Sequence, residues 1–359
     1  MSRSAIASIS LPALQHNLER VRTLAPRSKV MAVVKADGYG HGLERVARAL
    51  ASADAFGVAA IADGLRLRAS GHRQRIVVLS GIDEPADLAE VRRLDLDVVL
   101  HHDDQLAMVK ADPDPRPLRV WLKLDTGMHR LGFPHARAGA LVRQLRELPQ
   151  VHPDLSVMSH FANSDVPTDP VNAAQATRFD LATRDLPVAR SLANSAAICH
   201  MPGAHHEWVR PGGLLYGLGL APDQTGSDLG FKPVMHLSSK IIAIQSFAAG
   251  ERIGYAGAYV CPKPQRVGVV AMGYGDGYPR HVGTGGPVLI RGRRSQVLGR
   301  VSMDLLSIDL DEFPEVRVGE RVTLWGDSLP VEHVAAAADT ISYELTCGVT
   351  KRVMFLEQP

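Results

Sequence analysis

From residue 29 onward the chain repeats one unit eight times: a short run of β-branched and apolar residues, followed by a stretch with the spacing of an amphipathic helix. The runs are KVMAVV (29–34), FGVAA (56–60), RIVVL (75–79), DVVL (97–100), RVWLKL (119–124), LSVMSH (155–160), VARSLA (188–193) and HEWVR (206–210). Stretches such as GLERVARALA after residue 41 and AGALVRQLREL after residue 137 fill most of the gaps. Strands that alternate with helices pair in parallel, and eight such units in roughly 200 residues match a (β/α)8 TIM-type barrel. An open doubly wound sheet is the alternative, but the Gly-rich fingerprint that such a sheet usually carries after its first strand is missing. A helix from Pro12 to Leu24, with Ser10 as its cap, is expected to complete the domain.

After about residue 228 the pattern changes to short alternating strands separated by Gly and Pro turns: VMHLSSKIIAIQ, RVGVVAM, PVLIRG, RRSQVLGRVSM, LLSIDL and RVTLWG. One short helix pattern precedes Tyr343. The expected class is α/β, with a barrel over residues 1–228 and a C-terminal all-β domain over residues 229–359.

Composition narrows the function classes. A net charge of +2 lacks the basic footprint of a nucleic-acid binder, so a small or mixed-charge partner is expected. No run of 18 apolar residues occurs, and the N-terminal stretch is too short and polar for a secretion signal, so a cytoplasmic protein off the membrane is expected. Three cysteines without CxxC spacing give no disulfide framework and fit a reducing compartment. Only eight of the 40 basic residues are lysine, so a lysine inside an apolar strand needs a reason.

Two lysines stand out. Lys35 closes the first run, in MAVVKADGYGHG, which puts its amine at the C-terminal rim of the barrel. Barrel active sites are built at that rim, and a partly desolvated lysine there can lose its proton and form a Schiff base; an ordinary lysine at a strand end is the plain alternative. Lys123 lies in VWLKLD, where Leu122 and Leu124 point the other way, so it faces the barrel interior. A buried ammonium must be paired, neutral or modified, and a salt bridge to Asp37 or Asp125 is the simplest answer.

Other polar residues fall at successive strand ends: Arg130 in DTGMHRLGF, His160, Asn194 and Ser195, and Arg210 just before PGG. Together they look like one converging site. Gly212 and Gly213 permit close backbone approach and, with the Ser195 hydroxyl, can cradle a phosphate. Tyrosines sit among glycines in GYAGAY (254–259) and GYGDGYPR (273–280), and Met303–Asp304 lies in GRVSMDLL; packing in the β-domain is the alternative for each tyrosine. The clusters at 101–104 and 199–207 lack metal-ligand spacing and read as solvated loops, so no metal is expected.

Taken together, AVVKADGYGHG, LKLDTGMHRLGF, SHFANSD, ANSAA, VRPGGLLYG, GYAGAY, GYGDGYPR, GRVSMD and TISYELTC resemble, in register from about residue 5 to residue 354, the alanine racemases, pyridoxal-phosphate (PLP) enzymes built of a barrel and a β-domain. The resemblance implies interconversion of L- and D-alanine by two bases, supplying D-alanine for peptidoglycan or serving alanine catabolism. Lys35 then holds PLP covalently and handles the proton of D-alanine. Tyr255 acts on L-alanine from the second subunit of a homodimer with shared active sites. Arg210 faces the pyridine nitrogen, and Tyr39, Ser195, Gly212, Gly213 and Tyr343 hold the phosphate, with Asn194 counted among the cofactor-binding residues. Arg130 contacts the phenolic oxygen and the substrate carboxylate. The Met303 N–H binds that carboxylate, with Asp304 beside it. His160 supports Arg210 and Tyr255. Lys123 matches a lysine carbamylated in many members. Where the family often has isoleucine after VRPG, this chain has Gly213, which keeps an N–H but loosens the loop.

Physical chemistry adds one demand. A free tyrosine with a pKa of about 10 is ionised roughly one part in a thousand at pH 7, so Tyr255 must be tuned by neighbouring cations. Two rival readings remain: a racemase or decarboxylase for another amino acid on this scaffold, and a PLP-carrying barrel without turnover.

Overall fold

The structure, a computed structural model, describes residues 4–221 and 223–358. The residues at both ends of the expected domain ranges, 1–3 and 359, lie outside it. Strand β1 (Ile6–Ser10) leads into a helix, Leu11–Leu24, whose first turn is capped by Ser10 Oγ accepting from the Ala13 N–H at 3.3 Å. Then come β2 (Lys29–Val33), β3 (Ala55–Val58), β4 (Arg75–Val78), β5 (Asp97–Leu100), β6 (Val120–Asp125), a two-residue β7 (Phe133–Pro134), β8 (Ser156–Met158), β9 (Ala189–Asn194) and β10 (Trp208–Arg210). Each of the eight expected runs overlaps a strand, with β3, β6 and β9 reaching one residue beyond theirs.

All of these strands except β1 pair with one another in parallel, and β10 returns to β2 through Trp208 with Lys29 and Val209 with Val30. The sheet is therefore a closed eight-stranded barrel with β7 added beside β6, and the open-sheet alternative is excluded. Helices Leu43–Ala49 and Ala138–Glu147 form where the amphipathic pattern places them.

Inside the barrel, Met31, Ala55, Val77, Val99, Trp121, Met158 and Trp208 form one buried cluster. At the strand starts, fully buried Asp97 accepts from Arg75 Nε at 2.9 Å, Arg119 Nε at 2.7 Å and Trp121 Nε1 at 3.0 Å. The Arg75 guanidinium also lies over the rings of Trp121 and Trp208. This end is plugged. Because side chains on one face recur every two residues, Lys123, His160 and Arg210 follow Trp121, Met158 and Trp208 on the interior face, toward the open C-terminal end.

The second unit contains β11 (Met235–Phe247), a hairpin of β12 (Arg252–Ile253) and β13 (Tyr259–Val260), then β14 (Gln265–Val270), β15 (Pro287–Ile290), β16 (Arg293–Leu298), β17 (Leu306–Asp309), β18 (Arg321–Trp325) and β19 (Met354–Gln358). The long β11 pairs with both β18 and β14, and β14, β17, β16, β15 and β18 complete a six-stranded antiparallel ring. The run RRSQVLGRVSM stops being strand at Leu298, and Tyr343 lies inside a second short helix, Ser342–Gly348, instead of after a single one.

The chain forms two compact units: Asn17–Gly38 with Gly42–Leu215, and the residues through His16 with Tyr39–His41 and those from Tyr216 on. This division differs from a cut between 228 and 229. The reason is β1, which pairs antiparallel with β11 (Ile6 with Ser238) and parallel with β19 (Ile6 with Met354). Its alternation, with Ala7 and Ile9 buried, is a strand signal in a segment read only for its polarity. Among the described residues, no helix is long and apolar enough to cross a membrane.

Candidate active site

Lys35 follows β2 directly after buried Val34. Behind it, Ala36, Asp37, Gly38 and Tyr39 all adopt left-handed backbone angles, with φ of 53°, 54°, 63° and 53°. Each non-glycine residue there costs about 1–2 kcal/mol, so the turn persists only because its surroundings over-determine it. The Gly38 N–H donates to Val34 O at 2.9 Å, and the Gly42 N–H to Asp37 O at 2.8 Å. Asp37 Oδ1 accepts from the Leu43 N–H and from Arg66 Nη2, whose guanidinium is also held by Glu44.

Arg210 is buried, and both its terminal nitrogens are engaged: Nη1 donates to Ser191 Oγ at 2.5 Å, and Nη2 to Ser159 O at 2.5 Å, Leu192 O at 3.3 Å and His160 Nδ1 at 3.3 Å. Burial lowers its pKa to about 10, which leaves it charged at pH 7. The His160 pKa is held well below the ordinary histidine value by burial first, then by the charges of Arg210, Lys123, Arg130 and Lys35. His160 is therefore a neutral imidazole.

Lys123 makes no ion pair or hydrogen bond among the described residues. The expected salt bridge does not form, because Asp37 is taken by Arg66 and Asp125 by the backbone after it. Burial, followed by Arg210, Arg130 and Lys35, brings the Lys123 pKa down to about 8. Lys35, Lys123, Arg130 and Arg210 thus gather as cations around the neutral His160 at the barrel mouth.

The Ser195 hydroxyl accepts from the Gly212 N–H at 2.9 Å, so that N–H is already engaged, while the Gly213 N–H starts a 3-10 turn and makes no hydrogen bond among the described residues. Asn194 Oδ1 caps the helix Ser195–His200 through the Ala197 N–H and accepts from Ser164 Oγ at 2.8 Å. Its side chain shapes this loop from within.

In the β unit, buried Tyr39 stacks on Tyr216 at 4.6 Å and lies 5.9 Å from the ring of Tyr343. Burial, then the charges of Tyr343 and Cys347, raise the Tyr39 pKa, so it stays a phenol. A Cβ at Gly40 would sit 2.0 Å from Thr346 O, which explains the glycine. Tyr255 and Met303 are 63% and 52% exposed. Gly273 and Gly275 let their loop press on Met303, whose carbonyl accepts from the Gly275 N–H, leaving the Met303 N–H unbonded among the described residues. Asp304 is exposed and is clamped by Arg352, which also reaches buried Asp276.

Sequence reasoning missed the residues that hold the candidates in place. Ser159 and Ser191 position Arg210, Tyr216 backs Tyr39, and Arg352 holds Asp304. Of these, only Ser159 had a visible cue, its place beside His160 at the end of a strand.

A parallel barrel with a lysine and a buried arginine at its mouth, joined in one chain to an antiparallel β ring, defines a class of two-part barrel enzymes. Residues 9–219 match the family model for the alanine racemase N-terminal domain, and residues 234–356 match that for the C-terminal domain. An alanine racemase from Thioalkalivibrio sulfidiphilus is 50% identical over 98% of both chains. The crystal structure of a biosynthetic alanine racemase from Pseudomonas aeruginosa superposes with a TM-score of 0.96 at 42% identity, over 99% of this chain and 100% of that one. One from Bartonella henselae, 26% identical with a TM-score of 0.89 over 99% of each chain, contains covalently bound pyridoxal phosphate. The chain belongs to the alanine racemase family.

Proposed function

We propose that this chain interconverts L- and D-alanine in the cytoplasm, with PLP bound covalently at Lys35, as a homodimer whose active sites draw on both subunits. The product serves peptidoglycan synthesis or alanine catabolism. The observation that carries the reading is the mouth of the barrel, where Lys35 joins Lys123, Arg130 and Arg210 in one coupled set of cations. Such a set suits a ligand with a phosphate, a phenolic oxygen and a carboxylate partner.

The residues present fit PLP. Ser195 and Gly213 offer polar groups for the phosphate, and Gly212 joins them once its N–H turns from the serine; Tyr39 and Tyr343 are assigned to the same phosphate, and Asn194 shapes the loop. Arg210, fixed by Ser191 and Ser159, is assigned to the pyridine nitrogen. Its high pKa keeps the proton on the guanidinium, which limits delocalisation into the ring and disfavours transamination. When bound, PLP withdraws electrons from the substrate Cα and makes its proton acidic.

The chain's own residues move that proton. Lys35 acts on the face of D-alanine, and Tyr255 of the other subunit acts on the face of L-alanine. The neutral imidazole of His160, with Arg210 behind it, is assigned to the support of Tyr255. Arg130 and the Met303 N–H hold the substrate carboxylate, with Asp304, clamped by Arg352, beside them. A carbamate on Lys123 turns a crowded cation into an anion that Arg130 can pair with.

The test is to incubate PLP-loaded protein with L-alanine in deuterated water and quantify D-alanine and deuterium at Cα. D-alanine carrying Cα deuterium is the expected result. Exchange without inversion points to another substrate, and no exchange means a PLP carrier.

A further inference from the structure

Residues 126–132 leave the end of β6 and return to it. Phe133 pairs with Leu124 and Pro134 with Asp125, and a Cβ at Gly132 would lie 2.6 Å from the Asp125 nitrogen. Arg130 rides on this loop, and its guanidinium makes no hydrogen bond or ion pair among the described residues. Among the described residues, the loop's backbone is therefore what sets where that guanidinium starts.

The backbone has a hub. Asp125 Oδ1 accepts from the N–H groups of Gly127 at 2.9 Å, Met128 at 3.1 Å and His129 at 3.1 Å, and Oδ2 lies 3.1 Å from His129 Nδ1. Burial pushes the Asp125 carboxyl up, but these N–H donors and the His129 charge outweigh it and hold the pKa below the usual range. His129 turns the chain in the left-handed region, with φ 55°, immediately before Arg130. At the other side of the hub, Thr126 is tied by Ser159 Oγ at 2.8 Å and by Arg178 on its carbonyl. Three N–H groups converging on one anionic oxygen are charge-assisted bonds, and truncating the carboxylate releases all three at once.

We propose that Asp125 is the positioning residue of Arg130: by gathering the following backbone onto its carboxylate, it presents the guanidinium to the carboxylate of the amino-acid substrate. This rests on the reading of Arg130 as the carboxylate-binding residue.

The experiment uses PLP-loaded wild type, Asp125→Ala, Asp125→Asn, Arg130→Ala and the double variant Asp125→Ala/Arg130→Ala. Propionate, a carboxylate without an amine, is the calorimetric probe, and KM and kcat for L-alanine are measured beside it. Asp125→Ala is expected to weaken propionate and raise KM about tenfold, with kcat within about threefold. Asp125→Asn, which keeps an acceptor oxygen, is expected to recover most of that loss. The double variant is expected to lose no more than Arg130→Ala alone, because the two residues act as one unit. Amide hydrogen exchange at residues 127–129 should quicken in the two variants that carry Asp125→Ala and in no other.

Losses that add in the double variant, or a wild-type KM in Asp125→Ala despite faster loop exchange, overturn the inference. So does propionate binding that Arg130→Ala leaves unchanged, or wild type that fails to bind propionate. Wild type that binds propionate but does not racemise alanine overturns the functional reading and leaves the Asp125 result to be judged on propionate alone.

Discussion

The Arg210 guanidinium donates to His160 Nδ1 across 3.3 Å. Arginine has only donors, so that nitrogen must accept and the proton of the neutral ring must be on Nε2. Position on the strand thereby fixes both the charge and the tautomer of the imidazole.

The first prediction concerns pH. His160 has a folded pKa below its unfolded value near 6.5, so its contribution is present above that value and is lost as pH falls through and below it, where the unfolded chain takes up a proton the native one refuses. Each such proton steepens the fall by up to about 1.4 kcal/mol per pH unit. Denaturant unfolding from pH 7 to pH 5 should show a shallower loss in His160→Gln than in wild type. Parallel curves would mean that the ring protonates inside the fold.

The second concerns Lys123. With a pKa near 8, about a tenth of this side chain is uncharged at pH 7 and the greater part at pH 9. Only the free amine attacks carbon dioxide, so at constant dissolved carbon dioxide a carbamate signal from isotopically labelled bicarbonate should grow over this interval. Carbon NMR of wild type against Lys123→Met checks it, and an equal signal in the variant assigns the adduct elsewhere.

The third concerns the plugged end of the barrel. Asp97 is fully buried with donors from Arg75, Arg119 and Trp121, so Asp97→Ala leaves the buried indole without its acceptor and the two arginines with only their outer partners, Asp154 and Asp95. A loss of about 3–5 kcal/mol is expected in chemical unfolding. A loss below about 1 kcal/mol would show that water replaces the carboxylate.

The fourth concerns the dimer. Lys35→Ala and Tyr255→Phe should each be inactive, yet a reassembled mixture should recover about a quarter of wild-type activity, since half the dimers are mixed and each of those has one intact site. Proven mixed dimers without activity would place both groups of a site on one subunit.

Much of the barrel was legible because strands buried on both faces read as apolar runs, and DVVL at 97–100 is buried throughout. Lys123 was legible by the same parity. Its missing partner was not, because whether Asp125 turns toward a lysine or toward its own backbone depends on loop geometry three residues further on. Strand β1 escaped because five residues of alternation carry little weight until their pairing partners are known. Ser191 escaped for a different reason: a serine under an arginine looks like any other serine until the barrel closes.

Strand β1 has a consequence for how the chain is made. Its partner in β11 begins at residue 235, and its parallel neighbour β19 occupies 354–358. A growing chain therefore carries Ile6–Ser10 with no sheet to join while all of residues 17–215 are synthesised, and the strand gains its second neighbour only once residues 354–358 have been made. This strand, made before the barrel, is locked only after it, and a ribosome-stalled chain truncated before residue 235 should leave it open to proteases.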